Sequence, residues 1–181
     1  MASFAILERA SHIKALVLDV DGILSDGFLS FTNSGEEIKS FDIRDGLGMK
    51  LVQKSGIKVA VITGRSSNIV NHRMQSLGVD LVIQGREDKG IALREACESL
   101  QILPEECAYM GDDWPDLAAM QIAGLAVTVP NAHEEVRKRA HLITQAFGGR
   151  GAVREFCDIL LHANGSYDEL LQEFLSEISS T

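Results

Sequence analysis

The chain has 181 residues, of which 45% are apolar and 24% charged, and a formal net charge of −9. That length and balance suit one soluble globular domain with a sizeable core. The acidic excess argues against sequence-independent nucleic-acid binding, because nucleic-acid phosphates would be repelled.

Residues 3–11 carry Phe4, Ile6, Leu7 and Ala10 at helical spacing. Glu8 and Arg9 interrupt this apolar segment, which excludes a secretory signal core. No stretch approaches the roughly 18 apolar residues of a membrane span, so the expected location is the cytoplasm, with no membrane partner. Cys97, Cys107 and Cys157 show no paired spacing and fit reduced, buried thiols.

Residues 15–20 form an apolar run of strand type that ends in Asp19-Val20-Asp21-Gly22. Alternation along a strand puts both aspartates on one face, and the glycine lets the chain turn sharply. Two converging carboxylates repel and require a cation or a shared proton. A β-hairpin is expected over residues 28–41, with its turn at 33–35 in Asn33-Ser34-Gly35-Glu36. Its Phe28, Phe31 and Phe41 need something to pack against.

Asp45 is expected to cap a short helix over 47–54, ended by Gly56. Residues 58–63 read as a strand buried on both faces, and Gly64-Arg65-Ser66 leads into a helix bearing Ile69, Val70, Met74 and Leu77. A strand follows at 80–83. Lys89 opens a helix with Leu93, Ala96, Cys97 and Leu100 on one face. Residues 107–110 form a strand running into Gly111-Asp112-Asp113, and 116–123 are helical. A strand at 125–129, a helix capped by Asn131 and reaching residue 140, and a short strand at 142–144 complete the pattern. Residues 167–179, with Leu170, Leu171, Phe174, Leu175 and Ile178, form an acidic amphipathic helix that packs on the body or on a neighbouring subunit. The alternation predicts an α/β doubly wound parallel sheet, Rossmann-like, with a projecting hairpin after the first strand. The core spans about residues 13–165 of a single domain, 1–181, with a helical tail at 166–181.

In such a sheet, ligands bind beyond the carboxyl ends of the strands. Those ends carry Asp19 and Asp21, then Thr63-Gly64-Arg65, then Lys89 at a helix start, then Asp112 and Asp113. The convergence fits phosphate-ester hydrolysis. A carboxylate approaching a phosphate dianion is repelled until a hard divalent cation intervenes, and Mg2+ prefers oxygen ligands with retained waters. Asp19, Asp112 and a backbone carbonyl near Asp21 are the candidate metal ligands, with Asp113 contributing through water. Lys89 adds a second positive charge. The Thr63 hydroxyl and the amides around Gly64 donate to the same phosphate oxygens. Asp19 is the candidate nucleophile, and Asp21 the group that protonates the leaving alkoxide and later activates water.

Asp19-x-Asp21-Gly22, Thr63-Gly64-Arg65, Lys89 and Gly111-Asp112-Asp113-x-x-Asp116 resemble the four motifs of the haloacid dehalogenase superfamily of phosphohydrolases. The resemblance is nearer still to a branch without a cap domain, the 3-deoxy-D-manno-octulosonate 8-phosphate (KDO 8-phosphate) phosphatases. It is carried by Asp26-Gly27, Ser40-Phe41-Asp42-Ile43-Arg44-Asp45-Gly46, Gly85 and Gly148-Gly149-Arg150-Gly151-Ala152-Val153-Arg154-Glu155. The resemblance implies a magnesium-dependent phosphatase for a phosphorylated sugar acid in lipopolysaccharide precursor synthesis. It also implies a homotetramer in which hairpins meet around the axis and the glycine–arginine segment reaches a neighbour's site. Within it, Asp42, Ile43, Arg44, Asp45 and Gly46 occupy substrate-contacting positions beside Asp21, Gly64 and Lys89. Arg65, Arg73 and Arg150 match basic positions suited to the sugar's carboxylate. Only 41 residues (22–62) separate Asp21 from Thr63, and 25 (64–88) separate Thr63 from Lys89, so neither gap holds a lid domain. Trp114-Pro115 and Lys50 depart from the branch's usual residues, which bears on substrate preference.

Two rivals share some of these residues. A phosphatase for a nine-carbon sugar acid 9-phosphate shares every motif. A phospho-signalling receiver module also gathers aspartates, a threonine and a lysine, but there the lysine comes last, whereas Lys89 here precedes Asp112 and Asp113.

Overall fold

The computed structural model describes residues 3–176. In chain order its elements are α1 (Phe4–Ser11), β1 (Ala15–Leu18), β2 (Ser30–Phe31), β3 (Glu37–Ile38), α2 (Ile43–Lys54), β4 (Lys58–Ile62), α3 (Asn68–Ser76) and β5 (Leu81–Ile83). They continue with α4 (Lys89–Leu100), β6 (Cys107–Met110), α5 (Leu117–Ile122), β7 (Leu125–Thr128), α6 (Glu134–Arg137), β8 (Leu142–Ile143), α7 (Ala152–Ala163) and α8 (Tyr167–Ser176).

Six strands form one parallel sheet in the order β5-β4-β1-β6-β7-β8. The chain leaves β1 for one side of the sheet and later returns to build the other, so the switch in strand order falls at β1. That is where an open α/β sheet opens a crevice. Ala15, Leu16, Val17 and Leu18 are completely buried, as expected of a strand covered on both faces. On the flanks, α1, α2 and α7 form one packed group and α4 with α5 another, and β4 touches both. The hairpin forms as β2 and β3, antiparallel and two residues per strand, with Ser30 opposite Ile38. The three cysteines are free and buried. Among the described residues, no helix is long and apolar enough to cross a membrane.

Three local expectations are corrected. The helix expected to start after Asp45 starts at Ile43, with the Asp42 side chain accepting from the Arg44 amide as its cap. Asp45 is instead buried in the first turn, where a cap cannot sit. The helix assigned to an Asn131 cap and residue 140 is the four-residue α6, capped by His133, whose ring accepts from the Glu135 amide. The helical part of 116–123 begins with a tight turn over Trp114–Asp116 before α5.

The glycine–arginine segment leads into α7: Ala152 onward is helix, and Phe156, Cys157 and Leu160 are fully buried. The glycines just before it pack on their own chain. Gly149 donates its N–H to the Ile23 carbonyl at 2.8 Å, and a Cβ on Gly148 would stand 1.7 Å from the Gly22 carbonyl oxygen. The tail helix forms as α8 and meets α7, burying Leu170, while Lys54 of α2 pairs with Glu173. Leu171, Phe174 and Leu175 stay about half exposed. Residues 177–179 of the expected tail helix lie outside the described residues.

Candidate active site

The parallel register decides which residues meet. Leu18 lies opposite Val61 on one side and Met110 on the other, so Asp19, Thr63 and Asp112 all emerge just past adjacent strand ends. The Asp19 amide donates to the Met110 carbonyl at 2.9 Å, which fixes where the chain leaves the sheet.

At the floor of the site, Lys89 at the start of α4 reaches Asp19 Oδ1 at 2.8 Å and Asp116 Oδ1 at 2.7 Å. All three side chains are buried. Asp116 is fully engaged. The same Oδ1 accepts from the Tyr109 hydroxyl at 2.7 Å, and Oδ2 accepts from the Asp112 and Asp113 amides at 3.0 and 3.1 Å. Gly111 is required beside it, since a Cβ there would lie 2.3 Å from Asp116 Cγ. Asp116 thus holds both the lysine and the loop that presents Asp112. Its signal in the sequence is the sixth position of Gly111-Asp112-Asp113-x-x-Asp116, whose partner lies 27 positions earlier at Lys89.

Oxygens of Asp19, Asp112 and Asp116 lie within 4.8 Å of one another. Because Asp116 spends its oxygens on four donors, Asp19 and Asp112 are the carboxylates available to a cation. Gly22, at φ +93°, leaves the space they need: a Cβ on it would sit 2.0 Å from Asp112 Oδ2. Three carboxylates against one ammonium leave excess negative charge, which the ionisation equilibria register. Burial, then the nearby Asp116, pushes Asp19 up to about 8 against the pull of Lys89. The same causes raise Asp112 to about 7. Burial alone would lower Lys89, but Asp19 and Asp116 outweigh it and hold the lysine above its ordinary value. A hard divalent cation between Asp19 and Asp112 fits this arrangement.

Thr63 is buried at the end of β4, and its hydroxyl accepts weakly from the Arg65 amide at 3.4 Å. Asp21, in the loop after β1, accepts from the Ser25 hydroxyl at 3.4 Å and is ion-paired with Lys39. Arg65, half exposed, stands 3.8 Å from the other oxygen of Asp21. Asp113 turns back to accept from the Trp114 amide, and Trp114 is exposed, donating its ring N–H to His133 at 2.9 Å.

The remaining expected contacts separate into two groups. Asp42, Arg44 and Arg150 surround a cavity of about 230 Å3 with Asp26, Ser40 and Gly149. Arg44 and Arg150 are exposed there; Arg44 pairs with Asp42 at 2.6 Å and Arg150 lies 3.6 Å from Asp26. The Arg44 guanidinium, its hydrogen bond first among the causes, holds Asp42 below its ordinary value. Ile43 is exposed beside them.

Asp45 and Arg73 face inward. Asp45 accepts from the amides of Arg154 at 2.8 Å and Gly151 at 3.3 Å, so it caps α7 from within α2, and burial raises it above its ordinary value. Arg73 donates to the Asp42 carbonyl at 3.4 Å and lies over the Phe41 ring, against Gly46. Both hold the 41–46 segment in place. A cavity of about 640 Å3 lies at the opposite end of the sheet around Arg9, Arg94 and His141 and contains none of these groups.

Comparison with known proteins gives a consistent result. Residues 78–153 match the family of haloacid dehalogenase-like hydrolases. The 3-deoxy-D-manno-octulosonate 8-phosphate phosphatase KdsC of Escherichia coli K12 is 46% identical over 164 residues, covering 91% of this chain and 87% of its own. The crystal structure of that phosphatase from Moraxella catarrhalis, in complex with a magnesium ion, a phosphate ion and a KDO molecule, superposes with a TM-score of 0.93. It is 44% identical and covers 96% of this chain and 99% of its own. A cobalt-bound form from Haemophilus influenzae gives a TM-score of 0.88 at 37% identity, covering 92% of this chain and 99% of its own.

Proposed function

We propose that this chain, which belongs to the 3-deoxy-D-manno-octulosonate 8-phosphate phosphatases among the haloacid dehalogenase-like hydrolases, converts KDO 8-phosphate to KDO and phosphate with magnesium as cofactor. The observation that carries this is the fit of nearly the whole chain, at 44% identity, to a relative holding magnesium, phosphate and the dephosphorylated sugar acid together.

Magnesium, which Asp19, Asp112 and a backbone carbonyl near Asp21 would hold with Asp113 contributing through water, would supply the positive charge that lets a carboxylate meet a phosphate dianion. Asp19 attacks phosphorus, and the bond from phosphorus to the sugar oxygen breaks. Asp21 donates a proton to that oxygen as the alcohol leaves. In the second step Asp21 takes a proton from water, the water oxygen bonds to phosphorus, and the acyl-phosphate bond to Asp19 breaks to release phosphate. Lys89, pinned between Asp19 and Asp116, counters charge on the transferring oxygens, and Thr63 with the amides around Gly64 donates to them. Arg65, Arg44 and Arg150 are the exposed cations that face a sugar carboxylate; Asp42 and Ile43 line the same approach, and Asp45, Gly46 and Arg73 support it from beneath.

The working form is a single capless domain assembled as a cytoplasmic homotetramer, acting on the sugar acid phosphate and on neither nucleic acid nor membrane. Support for assembly comes from the hairpin, where Phe28 is 77% and Phe31 58% exposed, an apolar surface that a neighbouring copy would cover. Sedimentation of the purified protein tests it, and a monomer at assay concentration removes it. Phosphate release from KDO 8-phosphate and from a nine-carbon sugar acid 9-phosphate, each with and without magnesium, tests the substrate. Comparable rates on both would remove the octulosonate assignment. Sustained magnesium-dependent turnover of either would exclude a receiver-like module.

A further inference from the structure

The four motifs leave the hairpin without a role in the chemistry, yet its second strand faces the site. Glu37, Ile38 and Lys39 continue in extended alternation, which puts Glu37 and Lys39 on one side and Ile38 on the other. Ile38 is 53% exposed, whereas the Lys39 side chain is only 2% exposed. A lysine ammonium is withdrawn from water this far only when it is paired. Its partner is Asp21. Glu37 stands 3.8 Å from Lys39 and accepts from Arg65 at 3.1 Å, and Arg65 approaches the second oxygen of Asp21. Four side chains of alternating charge close a ring that joins the hairpin, the loop after β1 and the loop after β4.

We propose that Lys39 is a positioning residue for Asp21, carried into the site by the hairpin of the same chain, with Glu37 holding Arg65 in the same ring. The proposal rests on the reading of Asp21 as the proton-transfer carboxylate. Asp21 sits on a turn, where a side chain rotates readily, and among the described residues its only other side-chain hydrogen-bond donor is the Ser25 hydroxyl at 3.4 Å. Proton transfer requires hydrogen-bond reach to the leaving oxygen, so a carboxylate that wanders loses rate without losing substrate affinity. The hairpin therefore has two faces with two tasks, an apolar outer one and an inner one that orders the acid–base group.

The test is Lys39→Met in the full chain, compared with wild type on KDO 8-phosphate and on p-nitrophenyl phosphate, whose leaving group departs without a proton. The expected result is a fall in kcat of about tenfold or more on the sugar phosphate, with KM within about threefold, and on the nitrophenyl ester a burst of nitrophenol ahead of a slowed steady state, because Asp21 also activates the water that both esters share. Lys39→Arg should recover most of the rate. A slowed steady state on the nitrophenyl ester without a burst, or no loss on either ester, would overturn the proposal. Lys39→Gln serves the same comparison if the methionine variant does not fold. Asp21→Asn, assayed alongside, separates the two ideas: if it retains turnover of the sugar phosphate, the reading of Asp21 itself fails. If it is inactive while Lys39→Met is normal, only the role of Lys39 fails.

Discussion

Lys89 Nζ and Asp19 Oδ1 face each other at 2.8 Å, both almost wholly enclosed, and the lysine is shared with Asp116 at 2.7 Å. A buried ammonium between two carboxylates leaves the proposed nucleophile in a pocket that still carries net negative charge. Much of the protein's expected behaviour follows from that imbalance.

Asp19→Asn should fold normally and lose turnover by at least about 10⁴-fold, because the amide cannot form the acyl phosphate. Circular dichroism with a phosphate-release assay checks both halves. Retained activity would remove Asp19 as nucleophile.

The metal-free protein should lose stability as pH rises. Asp19 and Asp112 titrate at about 8 and about 7 in the folded chain, burial being the main cause and Asp116 the next. In the unfolded chain they titrate near about 3.9. The folded state therefore binds more protons over that interval, and this contribution is fully present below about pH 4 and lost as pH climbs through 7 and 8. Magnesium favours the ionised carboxylates, so its stabilising effect should grow across the same interval. Melting temperatures in chelator and in magnesium, between about pH 5 and 9, give the comparison; a magnesium shift independent of pH would contradict it.

Asp116→Ala should be among the most damaging single changes in the chain. It strips a partner from buried Lys89 and leaves the Tyr109 hydroxyl and two loop amides without their acceptor. The expected cost is about 3–5 kcal/mol in denaturant unfolding, accompanied by a higher magnesium requirement as Asp112 drifts. A stable, active variant would show that Asp116 neither anchors the lysine nor shapes the loop.

Asp45→Ala removes the carboxylate that caps α7 from inside α2. A cost near 2 kcal/mol is expected, the upper end for caps, since the site is buried. The catalytic centre should keep its kcat on a nitrophenyl ester, while KM for the sugar phosphate rises as the Arg44 and Arg150 cavity loosens. An unchanged KM would confine Asp45 to stability alone.

What could be read from the residues alone was local. Apolar runs such as Ala15 to Leu18 mark buried strands, and the polar groups that follow them fall at strand ends whatever the neighbours are. Helix α7 shows the opposite case. Its apolar spacing at Val153, Phe156, Cys157, Leu160 and Leu161 is regular, but it starts at Gly151 with no side-chain cap of its own. The start signal is missing from the local sequence because Asp45, 106 positions earlier, supplies it. Asp45 suits a cap for its own helix on the same grounds: composition tells that a carboxylate suits a helix start, not which helix.

The sequence by itself determined the sheet, the hairpin and the order in which Asp19, Thr63, Lys89 and Asp112 arrive, since strand and turn preferences act over a few residues. Only the tertiary structure decided that Asp116 anchors Lys89, that Lys39 of the hairpin meets Asp21, and that Gly148 and Gly149 pack beneath their own nucleophile loop. Those pairings join residues distant in the chain through strand register and close packing. Charge partners in a buried site are chosen by which groups the fold encloses together, and no local period records that choice.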